Sequence, residues 1–210
     1  MGKSSAPWGR AVAAVLFVAS IGACNTVPTL SATPGARVGQ QLTRGDRWIG
    51  AEGSTHTGLG VDLRWHPWAE NNGFGRGVSF GVDEATMPVL KHTLQGRREH
   101  LLVGWGDTPR RPGSAWDFGG EASLVPIGWS RIYYEGHVES AVTLGVRGGP
   151  MLKLPCHHCE CDDGLWATRH LIVLEGGWNF HRPLVRGNGP PWLGEATATL
   201  AYRLDVSLLP

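Results

Sequence analysis

The chain has few lysines and no strong charge bias. Its 210 residues contain 19 Lys and Arg against 18 Asp and Glu, and the lysines are Lys3, Lys91 and Lys153. Proteins that bind nucleic acid through its phosphates carry a clear excess of basic residues on one face. The near balance of charge therefore gives no basis for nucleic-acid binding.

The sequence also lacks an apolar run long enough for a transmembrane helix. The uncharged stretch at residues 11–23 has 13 residues, whereas a membrane-spanning helix needs about 20. Lys3 and Arg10 precede this stretch, which is the layout of a cleaved export signal. We therefore expect residues 1–23 to be a signal peptide and the mature chain to leave the cytoplasm.

The signal ends in Ile21-Gly22-Ala23-Cys24. This motif resembles the lipobox of bacterial lipoproteins, in which the signal is cut before the cysteine and the thiol is diacylated. The resemblance implies that acyl chains on Cys24 hold the protein on a membrane. Asn25 in the next position implies outer-membrane sorting within that family. The alternative is an ordinary secretory signal that is cut after Ala23 and leaves Cys24 as a thiol.

The mature chain divides into a short N-terminal segment and one domain. Residues 24–36 contain Thr, Ser, Pro and Gly without an apolar period, which is typical of a flexible tether. Residues 37–210 are enough for a single domain with its own core. We expect that domain to be all-β.

A two-residue alternation of apolar and polar side chains runs through most of this domain. Such a period is typical of strands with two unlike faces, and Pro, Gly and Asn clusters separate the segments. A single short helix fits only residues 84–98. The clearest alternation sets Ala196, Ala198, Leu200, Tyr202, Leu204, Val206 and Leu208 against Thr197, Thr199, Arg203, Asp205 and Ser207. Weaker examples lie near residues 59–66, 77–83, 116–124, 142–147 and 169–179.

This pattern predicts an antiparallel barrel or barrel-like sheet of about eight strands. Its polar face is built from small residues and compensating charges, such as Asp62 with Arg64 and Arg203 with Asp205, which suits a narrow lumen. Tryptophans lie near the apparent strand ends, as at a membrane interface. The body resembles small outer-membrane β-barrels in this pattern. A lipid-tethered soluble β domain, with the apolar face inside, is the alternative.

Three cysteines and two histidines cluster within six residues. Deprotonated Cys and neutral His are preferred ligands of zinc and copper. In an exported loop, two of the thiols would more readily form a disulfide and leave the third free. Both alternatives stay open at this point. The cluster consists of Cys156, His157, His158, Cys159 and Cys161.

A second resemblance involves part of this cluster. His137-Val138-Glu139 followed by Pro155-Cys156-His157-His158-Cys159 is similar to the signature of the zinc-dependent deaminases. That resemblance implies a zinc ion held by His137, Cys156 and Cys159, with Glu139 transferring protons. Only 15 residues separate Glu139 from Pro155, fewer than that family usually places there.

Motifs of other enzyme classes are missing. The sequence has no Gly-x-Ser-x-Gly, no phosphate-binding loop and no His-Glu-x-x-His, so it offers no serine hydrolase, nucleotide or metalloprotease signature. We therefore expect a non-enzymatic lipoprotein of the outer membrane that acts in envelope structure or binds a small ligand or an envelope protein. A zinc-dependent hydrolase using His137, Glu139, Cys156 and Cys159 is the competing hypothesis.

Overall fold

The computed structural model describes residues 29–67, 76–88, 95–109, 115–134, 137–156, 166–184 and 192–208. These residues form long antiparallel strands, a two-residue strand and one short 3-10 helix, Gly50–Glu52. Within these ranges, no helix is long and apolar enough to cross a membrane. The strands are β1 (Thr29–Arg44), β2 (Arg47–Trp48), β3 (Thr55–His66), β4 (Arg76–Pro88), β5 (Gln95–Asp107), β6 (Asp117–Tyr134), β7 (His137–Lys153), β8 (Trp166–Pro183) and β9 (Leu193–Leu208).

The eight long strands close into a barrel. Each of β4 to β9 pairs antiparallel with the strand before it, β3 pairs with β1, and β1 also pairs with β9. The closing pair runs from Thr29↔Ser207 to Arg44↔Leu193. The predicted all-β, antiparallel, eight-stranded barrel is therefore confirmed.

The barrel has two ends, which we name by the residues they carry. The terminal rim holds the start of β1 at Thr29 and the end of β9 at Leu208. The distal rim holds the other ends of these strands, Arg44 and Leu193. The C-terminal ends of β3, β5 and β7 also lie at the terminal rim, because an antiparallel meander reverses direction at every turn.

The two faces of the sheet are opposite in polarity to those of a soluble protein. Inward positions carry Arg, Asp, Glu, His, Ser, Thr and Gly, whereas outward positions on the same strands are apolar. On β3, for example, Asp62 and Arg64 are buried while Val61 and Leu63 are exposed. The exposed large apolar side chains include Leu30, Leu59, Leu101, Val103, Trp105, Phe118, Leu124, Leu144, Val146, Leu174, Phe180 and Leu200.

A bulge in β6 accommodates a proline inside the sheet. Between Val125 and Gly128 the pairing with β7 shifts by one residue, and the pairing with β5 shifts between His100 and Val103. Pro126 lies in this segment, and its lack of an N–H prevents a regular ladder bond. Because of the extra residue, Pro126 and Ile127 both face outward.

Two sequence expectations about local structure are wrong. The tether predicted for residues 24–36 does not extend to residue 36, because β1 begins at Thr29 and pairs with both β3 and β9. Residues 24–28 lie outside the described residues. No helix occupies the described parts of 84–98, since β4 runs to Pro88 and β5 starts at Gln95.

Small apolar clusters occupy part of the lumen. Near the terminal rim, Met151, Leu171, Val173 and Ala201 pack together. Near the distal rim, Ile132, Ala141 and Leu193 do the same. The space between these two clusters is filled mainly by charged side chains.

Candidate functional site in the barrel lumen

The lumen contains an extended network of buried charges. These side chains come from all eight long strands, because every second residue of each strand points inward. Among the described residues, the cations are Arg37, Arg64, Arg98, Arg147, Lys153, Arg169 and Arg203, and the carboxylates are Asp62, Asp83, Glu121, Glu175, Glu195 and Asp205. The attraction between these seven cations and six carboxylates offsets part of the cost of removing them from water.

The two charge pairs expected from the sequence are present. Arg64 contacts Asp62 at 2.6 Å, and Arg203 contacts Asp205 at 2.6 Å. Both pairs join residues two apart on one strand, which therefore share its inner face. Their formation inside the barrel confirms that the polar face of the alternation lines a lumen.

Arginines also bridge the lumen from one wall to the other. Arg64 on β3 reaches Glu121 on β6 at 2.6 Å and Glu175 on β8 at 3.2 Å. Arg203 on β9 contacts the second oxygen of Glu121 at 2.7 Å. Glu121 also accepts a hydrogen bond from Ser79. These contacts tie strands together across the barrel that are not neighbours in the sheet.

A second bridge crosses the middle of the lumen. Asp83 on β4 accepts from Arg37 on β1 at 2.5 Å and from Arg147 on β7 at 3.1 Å. Arg147 also contacts Asp62 at 2.8 Å, and His100 Nδ1 lies 3.5 Å from Asp83. Asp83 thus stabilises two guanidinium groups that come from strands adjacent neither to β4 nor to each other.

The third group lies near the distal rim and is centred on Glu195. Both oxygens of Glu195 accept from Arg98, each at 2.6 Å, which is the bidentate geometry that makes Arg–carboxylate pairs strong. His181 Nε2 lies 2.9 Å from the same carboxylate. Because a carboxylate only accepts, His181 donates from Nε2, and its Nδ1 is left to accept from Thr143 at 2.8 Å. We call Arg98, Thr143, His181 and Glu195 the distal cluster.

The distal cluster aligns a hydroxyl, an imidazole and a carboxylate, the order found in nucleophilic catalytic triads. The side chains of His181 and Glu195 are 0% exposed, and Thr143 is also 0% exposed. A substrate therefore has no route to the Thr143 hydroxyl in this structure. The alignment is best explained as hydrogen bonding that satisfies buried polar groups.

The described lumen includes a small cavity between the central bridge and the distal cluster. Its volume is about 20 Å³, and Arg37, Asp83, Arg98, His100 and Arg147 are among the residues that line it. A space of this size has room for about one water molecule. Four polar atoms of these residues, the Nε atoms of the three arginines and Asp83 Oδ1, have no hydrogen-bond partner within the protein, which makes the cavity suitable for water.

The structure does not bring together the residues of the alternative zinc site. His137 and Glu139 lie at the distal end of β7, whereas Cys156 follows its terminal end at Lys153. β7 has 17 residues, so its ends are about 50 Å apart at roughly 3.3 Å per residue. A zinc ion lies only about 2.0–2.3 Å from each ligand, so one ion cannot contact both ends.

The other sequence-predicted sites fall mostly outside the described residues. This is the case for Cys24, for His157 and His158, and for Cys159 and Cys161. Cys156 is described and lies beyond β7 at the terminal rim. Among the residues that the structure describes, no group of three or more His, Cys, Asp or Glu side chains is arranged to hold a metal ion.

The distal cluster was not predicted from the sequence, although a signal for part of it was present. The polar positions Thr197 and Thr199 of β9 extend back by one step of two to Glu195. Arg98 was not recognised as an inward residue, because β5 carries Arg97 and Glu99 on its outer face and Leu102 on its inner face. That reversal blurs the alternation along the strand.

Comparison with known proteins gives a distant structural similarity. No protein-family model matches the chain, and no curated protein matches it. A similar solved structure is the crystal structure of Neisserial surface protein A (NspA). The two chains are 9% identical, the alignment covers 86% of this chain and 96% of that chain, and the TM-score is 0.46. The closed eight-stranded barrel is established by the strand pairing of this chain itself.

Proposed function

We propose that the mature chain is an integral outer-membrane β-barrel of the cell envelope, with a structural or partner-binding role and a closed lumen. The observation that carries this proposal is the inverted polarity of the barrel, with apolar side chains outside and paired charges inside. Monomeric soluble proteins rarely expose contiguous apolar patches beyond a few hundred Å². A lipid bilayer is the solvent in which this outer face is stable.

The height of the apolar band supports a bilayer as the surrounding medium. On β6, Phe118 and Trp129 both face outward and mark the two aromatic ends of the band. They are 11 residues apart, which corresponds to about 28 Å along the barrel axis at a strand tilt of about 40°. An apolar band about 25 Å tall, flanked by aromatic residues, is typical of outer-membrane barrels.

The positions of the outward charges agree with this proposal. On the outer face of the described strands, charged side chains lie toward the strand ends and not in the middle of the band. Arg76 and Asp107 contact each other at the terminal rim. Arg97 contacts Glu84 and Glu99 toward the distal rim. A charge in the centre of the band would cost about 2–4 kcal/mol in lipid.

The filled lumen argues for a role at the rims and not for a pore. Barrels of about eight strands have an interior just wide enough for side chains to fill. Here three groups of cross-lumen bridges occupy that interior, and the cavity between two of them has room for about one water molecule. We therefore propose that ligands or envelope partners contact the rims and their connecting loops.

Lipid anchoring at Cys24 is also part of the proposal. Thr29, where β1 begins, is only five residues after Cys24, and a fully extended chain of that length spans at most about 18 Å. Acyl chains at Cys24 would therefore enter the leaflet next to the terminal rim. The segment that carries Cys156, Cys159 and Cys161 follows β7 at the same rim, where it would form a disulfide or bind zinc or copper.

A fractionation experiment tests the membrane assignment. We expect the Cys24→Ser variant to stay with the membrane fraction, because the barrel wall holds it there without the lipid. In detergent the folded barrel should migrate differently in electrophoresis before and after boiling. Release into the soluble fraction by this single change would instead identify a soluble domain held by its lipid.

The cysteine loop needs a separate measurement. Thiol titration and metal analysis of purified mature protein distinguish the two alternatives. A disulfide gives one free thiol among Cys156, Cys159 and Cys161 and no stoichiometric metal. Bound zinc or copper that is lost in Cys156→Ala would support the metal site.

A further inference from the structure

The outer surface of the distal rim is electrostatically asymmetric. On the side formed by β4 and β5, Arg97 contacts Glu84 at 2.9 Å and Glu99 at 2.8 Å, so one cation is paired with two carboxylates. On the side formed by β6, β7 and β8, Arg131 and Arg182 are exposed, and no described carboxylate is in ion-pair contact with either.

The strand register brings these two arginines onto one surface. Arg131 pairs with Ser140 on β7, and Arg182 pairs with Val142 two residues further along β7. With strands about 4.8 Å apart and a rise of about 3.3 Å per residue, the two Cα atoms are roughly 12 Å apart. Extended guanidinium groups at that spacing can both contact one headgroup.

Aromatic side chains place this surface at the level of lipid headgroups. Trp129 lies in the same row as Arg182, because both pair with Val142. The Arg182 guanidinium lies 5.7 Å from the ring centre of Trp192, in a cation–π contact. Phe180, the preceding outward residue of β8, is exposed on the apolar side. Trp rings collect at the membrane–water interface, so both arginines lie just outside the hydrocarbon.

The asymmetry is that of the strand residues that the structure describes. Glu135 and Arg186 follow Arg131 and Arg182 in the sequence and lie outside the described residues. Among the described residues, the surface formed by Trp129, Arg131, Arg182 and Trp192 carries two cations without an ion-paired carboxylate, whereas the outer face of β4 and β5 at this rim carries two carboxylates, Glu84 and Glu99, against one cation, Arg97.

We propose that this surface binds the phosphate-bearing headgroup of an anionic lipid in the leaflet at the distal rim. Guanidinium groups suit phosphate because their donors match its oxygens in bidentate geometry. The proposal rests on the proposed membrane insertion of the barrel. Membrane insertion alone does not require an anionic lipid at this position of the distal rim, so the two proposals can fail separately.

The test compares two variants in mixed detergent–lipid micelles that contain phosphatidylglycerol and phosphatidylcholine. Native mass spectrometry of the released mature protein gives the preference for phosphatidylglycerol. We expect the preference for phosphatidylglycerol over phosphatidylcholine to fall about 30-fold in the double variant Arg131→Gln/Arg182→Gln. Each basic residue at an anionic surface contributes about fivefold to binding. The matched control Arg97→Gln, on the self-paired side of the rim, should retain it.

The conservative double variant Arg131→Lys/Arg182→Lys should keep most of the preference, because a Lys ammonium still binds phosphate as a point charge. Equal loss in the Arg97→Gln control, or no preference in the unmodified protein, would overturn the headgroup site. Binding of inorganic phosphate without lipid, at the same residues and with the same strength, would overturn the lipid as ligand. Failure of all variants to retain any lipid would instead contradict membrane insertion itself.

Discussion

Arg97 and Arg98 are neighbours in β5 but lie in opposite environments. The Arg97 side chain is 59% exposed and contacts Glu84 and Glu99 on the outside of the distal rim. The Arg98 side chain is 2% exposed and makes a bidentate pair with Glu195 across the lumen. One step along a strand thus moves a guanidinium from a solvated rim to a desolvated interior.

An ion pair between Arg and a carboxylate contributes differently to stability in these two environments. Exposed ion pairs contribute about 0–1 kcal/mol, because water and salt screen them. A buried pair repays its desolvation only when both partners are present, so removing one partner leaves an uncompensated charge. The lumen should therefore be sensitive to single substitutions that the rims tolerate.

The largest expected effect comes from Glu195→Ala. This change removes the carboxylate that binds Arg98 and His181, and we expect the free energy of unfolding to fall by about 3–5 kcal/mol. Urea unfolding in phosphatidylcholine vesicles, followed by Trp fluorescence, gives this value. The matched control Glu99→Ala removes an exposed partner of Arg97 and should change stability by less than about 0.5 kcal/mol. Equal losses in the two variants would contradict the contrast between lumen and rim.

The apolar wall gives the next largest effect. Leu124 faces outward near the middle of β6, and Leu124→Arg should destabilise the barrel by about 2–4 kcal/mol in a bilayer. Thr86→Arg, on the outer face toward the distal end of β4, should cost no more than about 1 kcal/mol. Comparison of the folded fractions in vesicles checks both values. A neutral Leu124→Arg would mean that water, and not lipid, surrounds this face.

Two glycines test how tightly the inner and outer faces of the barrel wall are packed. A Cβ on Gly149, which faces the lumen, would lie 1.9 Å from the carbonyl oxygen of Leu174, whereas a Cβ on Gly176 would meet no atom within 4 Å. Gly149→Ala must shift the β8 backbone and should lower stability by about 1–3 kcal/mol. Gly176→Ala should be neutral in the same unfolding experiment. A tolerated Gly149→Ala would show that β7 and β8 are packed more loosely.

The smallest effect is expected at the terminal rim. Arg76 and Asp107 contact each other at 3.3 Å while both side chains remain largely exposed. Arg76→Gln should therefore change the unfolding free energy by no more than about 0.5 kcal/mol, and less at high salt. A loss as large as that of Glu195→Ala would mean that this pair is buried when the barrel is in its membrane.

Several features of the fold followed from local patterns. The alternation in β9 predicted a long strand, and the pairs Asp62–Arg64 and Arg203–Asp205 formed as their two-residue spacing predicted. Two strands were missed for physical reasons. β1 carries Pro34 and two alanines on its outer face, so its apolar signal is weak, and β5 has charges at its outer end. The pairing of Glu121, Glu175 and Glu195 with arginines across the lumen could not be predicted, because the paired residues lie on strands that meet only in the closed barrel.

The sequence alone determined that the chain makes long ribbons with one apolar and one polar face, since side chains alternate on every strand regardless of what surrounds it. It did not determine which face is inside, because a sandwich and a membrane barrel use the same alternation. The tertiary structure decided this: β1 closes against β9, and Asp62 and Arg64 are buried inside the ring while Val61 and Leu63 are exposed on its outside. The charged side chains occupy the inside of the ring because they neutralise one another across it.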